Sequence, residues 1–137
     1  CEDLPESENR IEVDTARQDQ FGMPIAKMRY RLGDNTRKIR DYGVERASEW
    51  LHAAGAERLT ITPLSVQAGF HIMGTATMGS EARTSVTSHD GRVHGVDNLT
   101  VIDASVFVTA SPVNPTSTLQ ALALRAADLM GQRLAHA

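Results

Sequence analysis

The sequence predicts an α/β fold class, and three features of its hydrophobic patterning carry that expectation. Residues 24–31 alternate with period two, with Ile25, Lys27 and Arg29 on one side and Ala26, Met28 and Tyr30 on the other. Apolar residues recur at helical spacing across 34–54 and again across 115–134. Between those helices lies Leu99-Thr100-Val101-Ile102-Asp103, a short and nearly continuous apolar run of the kind buried on both faces of a parallel sheet.

Taken in order, residues 9–13 form a short strand that pairs with or neighbours 24–31, half-buried by its alternation. A helix follows, capped by Asp34 or Asn35, with Ile39, Gly43, Ala47, Trp50, Leu51 and Ala54 at helical spacing and Gly55 as its stop. Residues 59–62 read as another strand, closed by Pro63. A stretch rich in Gly, Ser and Thr then runs to about Asn98, and so long an irregular segment inside a compact domain is usually functional. The last helix extends from about Pro115 to Leu134, with Leu119, Leu122, Ala123, Ala126, Leu129 and Met130 as its buried stripe.

A length of 137 residues with 41% hydrophobic content suffices for one domain with a real core. Fourteen Lys and Arg against seventeen Asp and Glu give a net charge of -3, and no basic run tracks phosphates, so nucleic acid is a poor partner. The longest apolar stretches, such as Ala121-Leu122-Ala123-Leu124, are broken by Arg125 and Asp128, and no membrane span is expected. The opening Cys1-Glu2-Asp3-Leu4-Pro5 has neither an initiator Met nor a signal-peptide pattern and reads as a start in mid-protein. Cys1, the single cysteine, excludes an internal disulfide and reads as structural or incidental. No Gly-x-Ser-x-Gly elbow, Walker loop or Gly-x-Gly-x-x-Gly fingerprint is present, so the sequence does not describe a self-contained nucleotide-binding enzyme.

Two constellations could carry chemistry. In Phe70-His71-Ile72-Met73-Gly74-Thr75-Ala76-Thr77-Met78-Gly79, a histidine sits in a glycine-bearing loop. There it serves either as a general base near neutral pH or as a structural histidine bonded to local backbone. In Ser111-Pro112-Val113-Asn114-Pro115-Thr116, Asn114 caps the last helix with Pro115 at its first position, or Thr116 caps and frees Asn114. The helix start offers unpaired N–H groups that suit an anion, or it is a plain N-cap. His89 and His94 flank Asp90-Gly91-Arg92-Val93, but no third ligand has zinc-site spacing. His52 and His136 are expected to be solvated.

Four pieces stand in register: His71-x-x-Gly74-Thr75-x-x-Met78-Gly79, Arg92-Val93-His94-Gly95-Val96-Asp97-Asn98-Leu99, Asp103-Ala104-Ser105-Val106-Phe107 and Asn114-Pro115-Thr116. Together they resemble the C-terminal block of the glucose-methanol-choline (GMC) oxidoreductases, over residues 69–130. Residues 9–56 resemble the more variable substrate-domain part of that family, closer to its sugar dehydrogenases. Val108 departs from the proline that many relatives place after the phenylalanine.

The resemblance implies an FAD-dependent alcohol or sugar dehydrogenase or oxidase. His71 would take the substrate hydroxyl proton and Asn114 would help hold the alkoxide oxygen. Asp103, Ala104, Asn114, Pro115 and Thr116 would contact FAD, and no metal is implied. It further implies that residues 1–90 belong to a substrate-binding domain of antiparallel strands and helices that includes the histidine loop. Residues 91–137 would supply a strand and the terminal helix completing a Rossmann-like FAD-binding domain. Implied partners are an N-terminal FAD-binding part in the same or a separate chain, a small alcohol or sugar, and an electron acceptor. Two rivals stand beside this: a non-catalytic accessory or carbohydrate-binding subunit that keeps the fold, and a metal-dependent hydrolase built on His71, His89 and His94.

Overall fold

The computed structural model describes residues 2–62 and 69–136, so Cys1 and Pro63 lie outside the described residues. The chain divides into two compact units, residues 1–69 and 70–137. Among the described residues the secondary structure is mixed, with two antiparallel strands and two long helices.

In the first unit, β1 (Arg10–Gln18) and β2 (Pro24–Arg29) form an antiparallel hairpin. Its register sets Ile11 opposite Met28 and Val13 opposite Ala26, so the apolar side chains share one face. That face is open, with Val13 69% and Met28 62% exposed, and within β2 the expected half-burial holds only at Ile25. On the other face Glu12 receives Arg10 at 2.9 Å and Arg29 at 2.7 Å. The bend is built by Asp19, whose Oδ1 accepts the N–H groups of Phe21 at 2.8 Å and Met23 at 3.0 Å.

α1 spans Asp34–Ala53. Its N-cap is Gly33, not Asp34 or Asn35; Asp34 falls inside the first turn, where its charge complements the helix dipole. Asp3 ties the chain start to this end, accepting Tyr30 Oη at 2.6 Å and Thr36 Oγ1 at 3.0 Å. The stop is as expected: Gly55 holds φ +95°, beyond the C-cap Ala54. Trp50 and Leu51 are exposed despite their helical spacing. Residues 59–62 form no strand, because their backbone pairs with no ladder among the described residues.

The second unit is organised by α2 (Thr116–Ala135). Its stripe is mostly as expected: Ala126 is buried, Leu119, Leu122, Ala123 and Leu129 are half-buried, and Met130 lies at the edge. Leu119, Leu122, Ala123 and Ala126 line a small cavity with Met78, Val101 and Val106, and this is where the unit's core sits. The helix is capped by the backbone of Pro115, with no side-chain hydrogen bond from Asn114 or Thr116. Pro115 thus stands one position before the helix that it was expected to open.

Residues 99–103 are not a parallel strand. Thr100 instead makes an isolated antiparallel bridge to Arg92, flanked by Val93 N–H to Leu99 O (2.9 Å) and Val101 N–H to Gly91 O (2.8 Å). Among the described residues the Arg92 segment is the run's one bridged partner, and Leu99 and Ile102 are left about half exposed. Among the described residues no helix is long and apolar enough to cross a membrane.

Candidate functional site

The irregular residues 70–107 are held by backbone hydrogen bonds rather than by a sheet. The N–H groups of Gly74, Ala76 and Met78 donate to the carbonyls of Ala104, Ser105 and Val106 at 3.1, 2.9 and 3.0 Å. This ladder fastens the histidine-bearing loop to the segment that carries Asp103 and Ala104, some thirty residues later. Thr87 is fully buried behind it, giving its hydroxyl to Ala76 O and accepting Gly79 N–H at 2.8 Å on its carbonyl.

Asp103 shapes the partner segment. It is the N-cap of a single 3-10 turn, Ala104–Val106, and its Oδ1 accepts Ser105 N–H at 2.8 Å. The Ser105 hydroxyl and then its N–H hold the Asp103 carboxyl below the usual aspartate range. The Ala104 carbonyl is used twice, by Gly74 and by Phe107 at 3.2 Å.

His71 is exposed, and no described residue hydrogen-bonds its imidazole. Asn114 and Thr116 are also exposed, with side chains free of bonds to described residues. Pro115 O accepts Leu119 N–H at 2.9 Å, so the N–H groups of Thr116, Ser117 and Thr118 precede the first intrahelical bond and have no side-chain cap. All the sequence-predicted site residues therefore lie in one unit, and the ladder joins two of their segments directly.

Two residues outside the predicted set organise the loop. Thr77 Oγ1 donates to Gly74 O at 2.7 Å, and Ser105 ties Asp103 into its turn. The sequence signal for Ser105 is its place two residues after an aspartate, the spacing of a side-chain capped turn. His94 is engaged elsewhere: Ser85 Oγ donates to Glu81 O at 2.7 Å and accepts a hydrogen bond from the His94 Nε2–H at 3.0 Å. Among the described residues no three His, Cys, Asp or Glu are grouped to hold a metal ion.

The sequence of this chain matches a known family. The model of the GMC oxidoreductase family matches residues 5–123. The chain belongs to the GMC oxidoreductases. Among its relatives, 2-methyl-1,2-propanediol dehydrogenase of Mycolicibacterium austroafricanum is 38% identical over 133 residues, covering 96% of this chain and 24% of the relative. C-glycoside 3-oxidase of Arthrobacter globiformis is 35% identical, covering 95% of this chain and 25% of the relative. The fructose dehydrogenase large subunit of Gluconobacter japonicus is 32% identical, covering 91% and 23%. This GMC chain thus spans about a quarter of the length of the curated relatives it matches. GMC oxidoreductases are in general flavin-dependent.

Proposed function

We propose that this chain supplies the C-terminal part of an FAD-dependent oxidoreductase acting on the CH–OH group of a sugar or related alcohol. The observation that carries the reading is the ladder joining the His71 loop to the Asp103–Ser105 turn, since it fastens the loop that carries His71 to a segment suited to a cofactor. The names of the relatives, dehydrogenases and oxidases of a diol and of sugars, support the substrate class.

The residues fit a flavin by the chemistry of their donors. At the start of α2 the N–H groups of 116–118 are uncapped by any side chain, and the helix dipole makes this end electropositive. Thr116 and Pro115 would hold the anionic pyrimidine edge there, and Asp103 and Ala104 the ribityl and pyrophosphate portion. The chemistry that bound FAD supplies is acceptance of hydride from the carbinol carbon.

His71 acts as the base. An alcohol carbon releases hydride readily only as its oxygen becomes an alkoxide, and a neutral imidazole nitrogen of His71 accepts the hydroxyl proton. Asn114 Nδ2 donates a hydrogen bond to the resulting oxyanion and stabilises its charge. In this reading residues 1–90 belong to the substrate-binding domain and 91–137 to a Rossmann-like FAD-binding domain, where the exposed side chains of Leu99, Ile102 and Leu124 are covered. A partner segment contributes the rest of the FAD site, and a separate acceptor reoxidises the flavin.

The test is a visible spectrum of the intact source protein, recorded anaerobically before and after adding a panel of sugars and diols. A flavin spectrum that bleaches with one of them supports the assignment. A colourless preparation, or a yellow one that no alcohol bleaches, overturns it in favour of a non-catalytic subunit.

A further inference from the structure

We propose that Thr77 is the positioning residue for His71; this rests on His71 being the base. The imidazole has no partner among the described residues, so its place is set through the backbone of the arm that carries it. That arm ends at Gly74, and both backbone groups of Gly74 are held. Its N–H goes to Ala104 O at 3.1 Å and its carbonyl receives Thr77 Oγ1 at 2.7 Å. Gly74 sits at φ +88°, a conformation that glycine holds without a steric penalty but that its own freedom does not enforce. The Thr77 hydroxyl supplies the restraint.

Thr77 is itself anchored. It is half-buried, and its carbonyl accepts Val86 N–H at 2.9 Å and Thr87 N–H at 3.3 Å. It therefore transmits the fixed position of the Thr87 region to Gly74, and through Gly74 to His71. Thr75, the threonine adjoining the motif glycine, is exposed and makes no side-chain hydrogen bond to a described residue. The geometry thus assigns the positioning role to Thr77.

The experiment compares Thr77→Val, which keeps the shape and removes the hydroxyl, with Thr77→Ser, which keeps the hydroxyl, in the purified holoenzyme. Misplacing a base by a fraction of an ångström to an ångström predicts that Thr77→Val lowers kcat about 10- to 100-fold with KM changed less than about threefold. Thr77→Ser restores most of that loss at equal flavin content. The amides of 72–76 exchange with solvent faster in the valine variant and not in the serine variant. In a His71→Asn background Thr77→Val causes no further fall in kcat, because both changes act on one group. A full kcat in Thr77→Val, a serine variant as impaired as the valine, or an equal fall in both backgrounds overturns the proposal. If the valine variant fails to fold, Thr77→Ala carries the same expectations. A wild-type kcat in His71→Asn alone is the separate signature of failure of the base assignment, and it removes the proposal with it.

Discussion

Arg133, near the end of α2, donates to the carboxylate of Asp90, which also receives the Ser88 hydroxyl. One turn pair earlier Arg125 donates to His89 O at 2.6 Å, so two arginines of α2 grip adjacent residues of the irregular loop. Asp90 is 8% exposed, so the loop closes over its carboxylate.

The pair predicts an acid-sensitive packing of α2. The Ser88 hydroxyl chiefly holds the Asp90 carboxyl below its ordinary value of 3.8, against partial burial, with the Arg92 N–H and the Arg133 charge assisting. A folded pKa below the unfolded one means that this stability is fully present above the ordinary value and is lost as pH falls through the folded value. Asp90→Ala is expected to destabilise by about 1–3 kcal/mol, the cost of leaving buried hydrogen-bonding groups unpaired. Denaturant unfolding across pH checks this: the gap between the wild type and Asp90→Asn should be constant above about pH 5 and close below the usual aspartate pKa.

Gly91 and Gly55 separate two costs of replacing a glycine. Both have positive φ, +79° and +95°. A Cβ on Gly91 would lie 2.6 Å from Val101 O, whereas one on Gly55 meets nothing within 4 Å. Gly55→Ala is therefore expected to cost only the left-handed backbone penalty, about 1–2 kcal/mol. Gly91→Ala adds the displacement of Val101, whose N–H bonds Gly91 O at 2.8 Å, so its destabilisation should exceed that of Gly55→Ala by about 1 kcal/mol or more. Equal unfolding midpoints for the two variants would show that the Gly91–Val101 approach relaxes freely.

Most of what was legible in the sequence came from local periodicity. Alternation at 24–31 gave β2, the helical spacing before Gly55 gave α1, and the stripe from Leu119 to Leu129 faces the core. Residues 99–101 misled because an apolar run specifies burial but not a partner, and their partner here is the Arg92 segment. The cap positions slipped because Gly33 and Pro115 cap by backbone alone, without the side-chain oxygen that a sequence pattern advertises. In the candidate site, the ladder from Gly74 to Ala104 and the pair Asp90–Arg133 are long-range and carry no periodicity. Thr77 was invisible for a subtler reason: its hydroxyl bond to Gly74 follows from the loop's dihedral angles, not from residue type.

The proposed chemistry predicts unequal losses at two exposed residues. His71→Asn should lower kcat by about 10²- to 10⁴-fold, the range for a general base, while the flavin spectrum is retained. Asn114→Ala removes one donor to the oxyanion and should cost about 10²-fold. Stopped-flow measurement of anaerobic flavin bleaching isolates this step from reoxidation. Bleaching at the wild-type rate in His71→Asn would contradict its role as base.

Asp103 distinguishes a cofactor contact from a turn former, and the two roles predict different patterns. Its Oδ1 bond to Ser105 N–H is an N-cap, so Asp103→Ala should destabilise the turn by about 1 kcal/mol. Asp103→Asn keeps an acceptor oxygen for that N–H but removes the charge. If Asp103 only forms the turn, the asparagine variant should resemble the wild type in both stability and flavin retention. If the carboxylate also contacts the cofactor, the asparagine variant should keep the stability and release flavin more readily. Flavin fluorescence after graded dilution, paired with thermal unfolding of the same samples, separates the two. The proposed function requires the second pattern, because it assigns the Asp103 carboxylate, ionised at neutral pH as any ordinary aspartate is, to the cofactor.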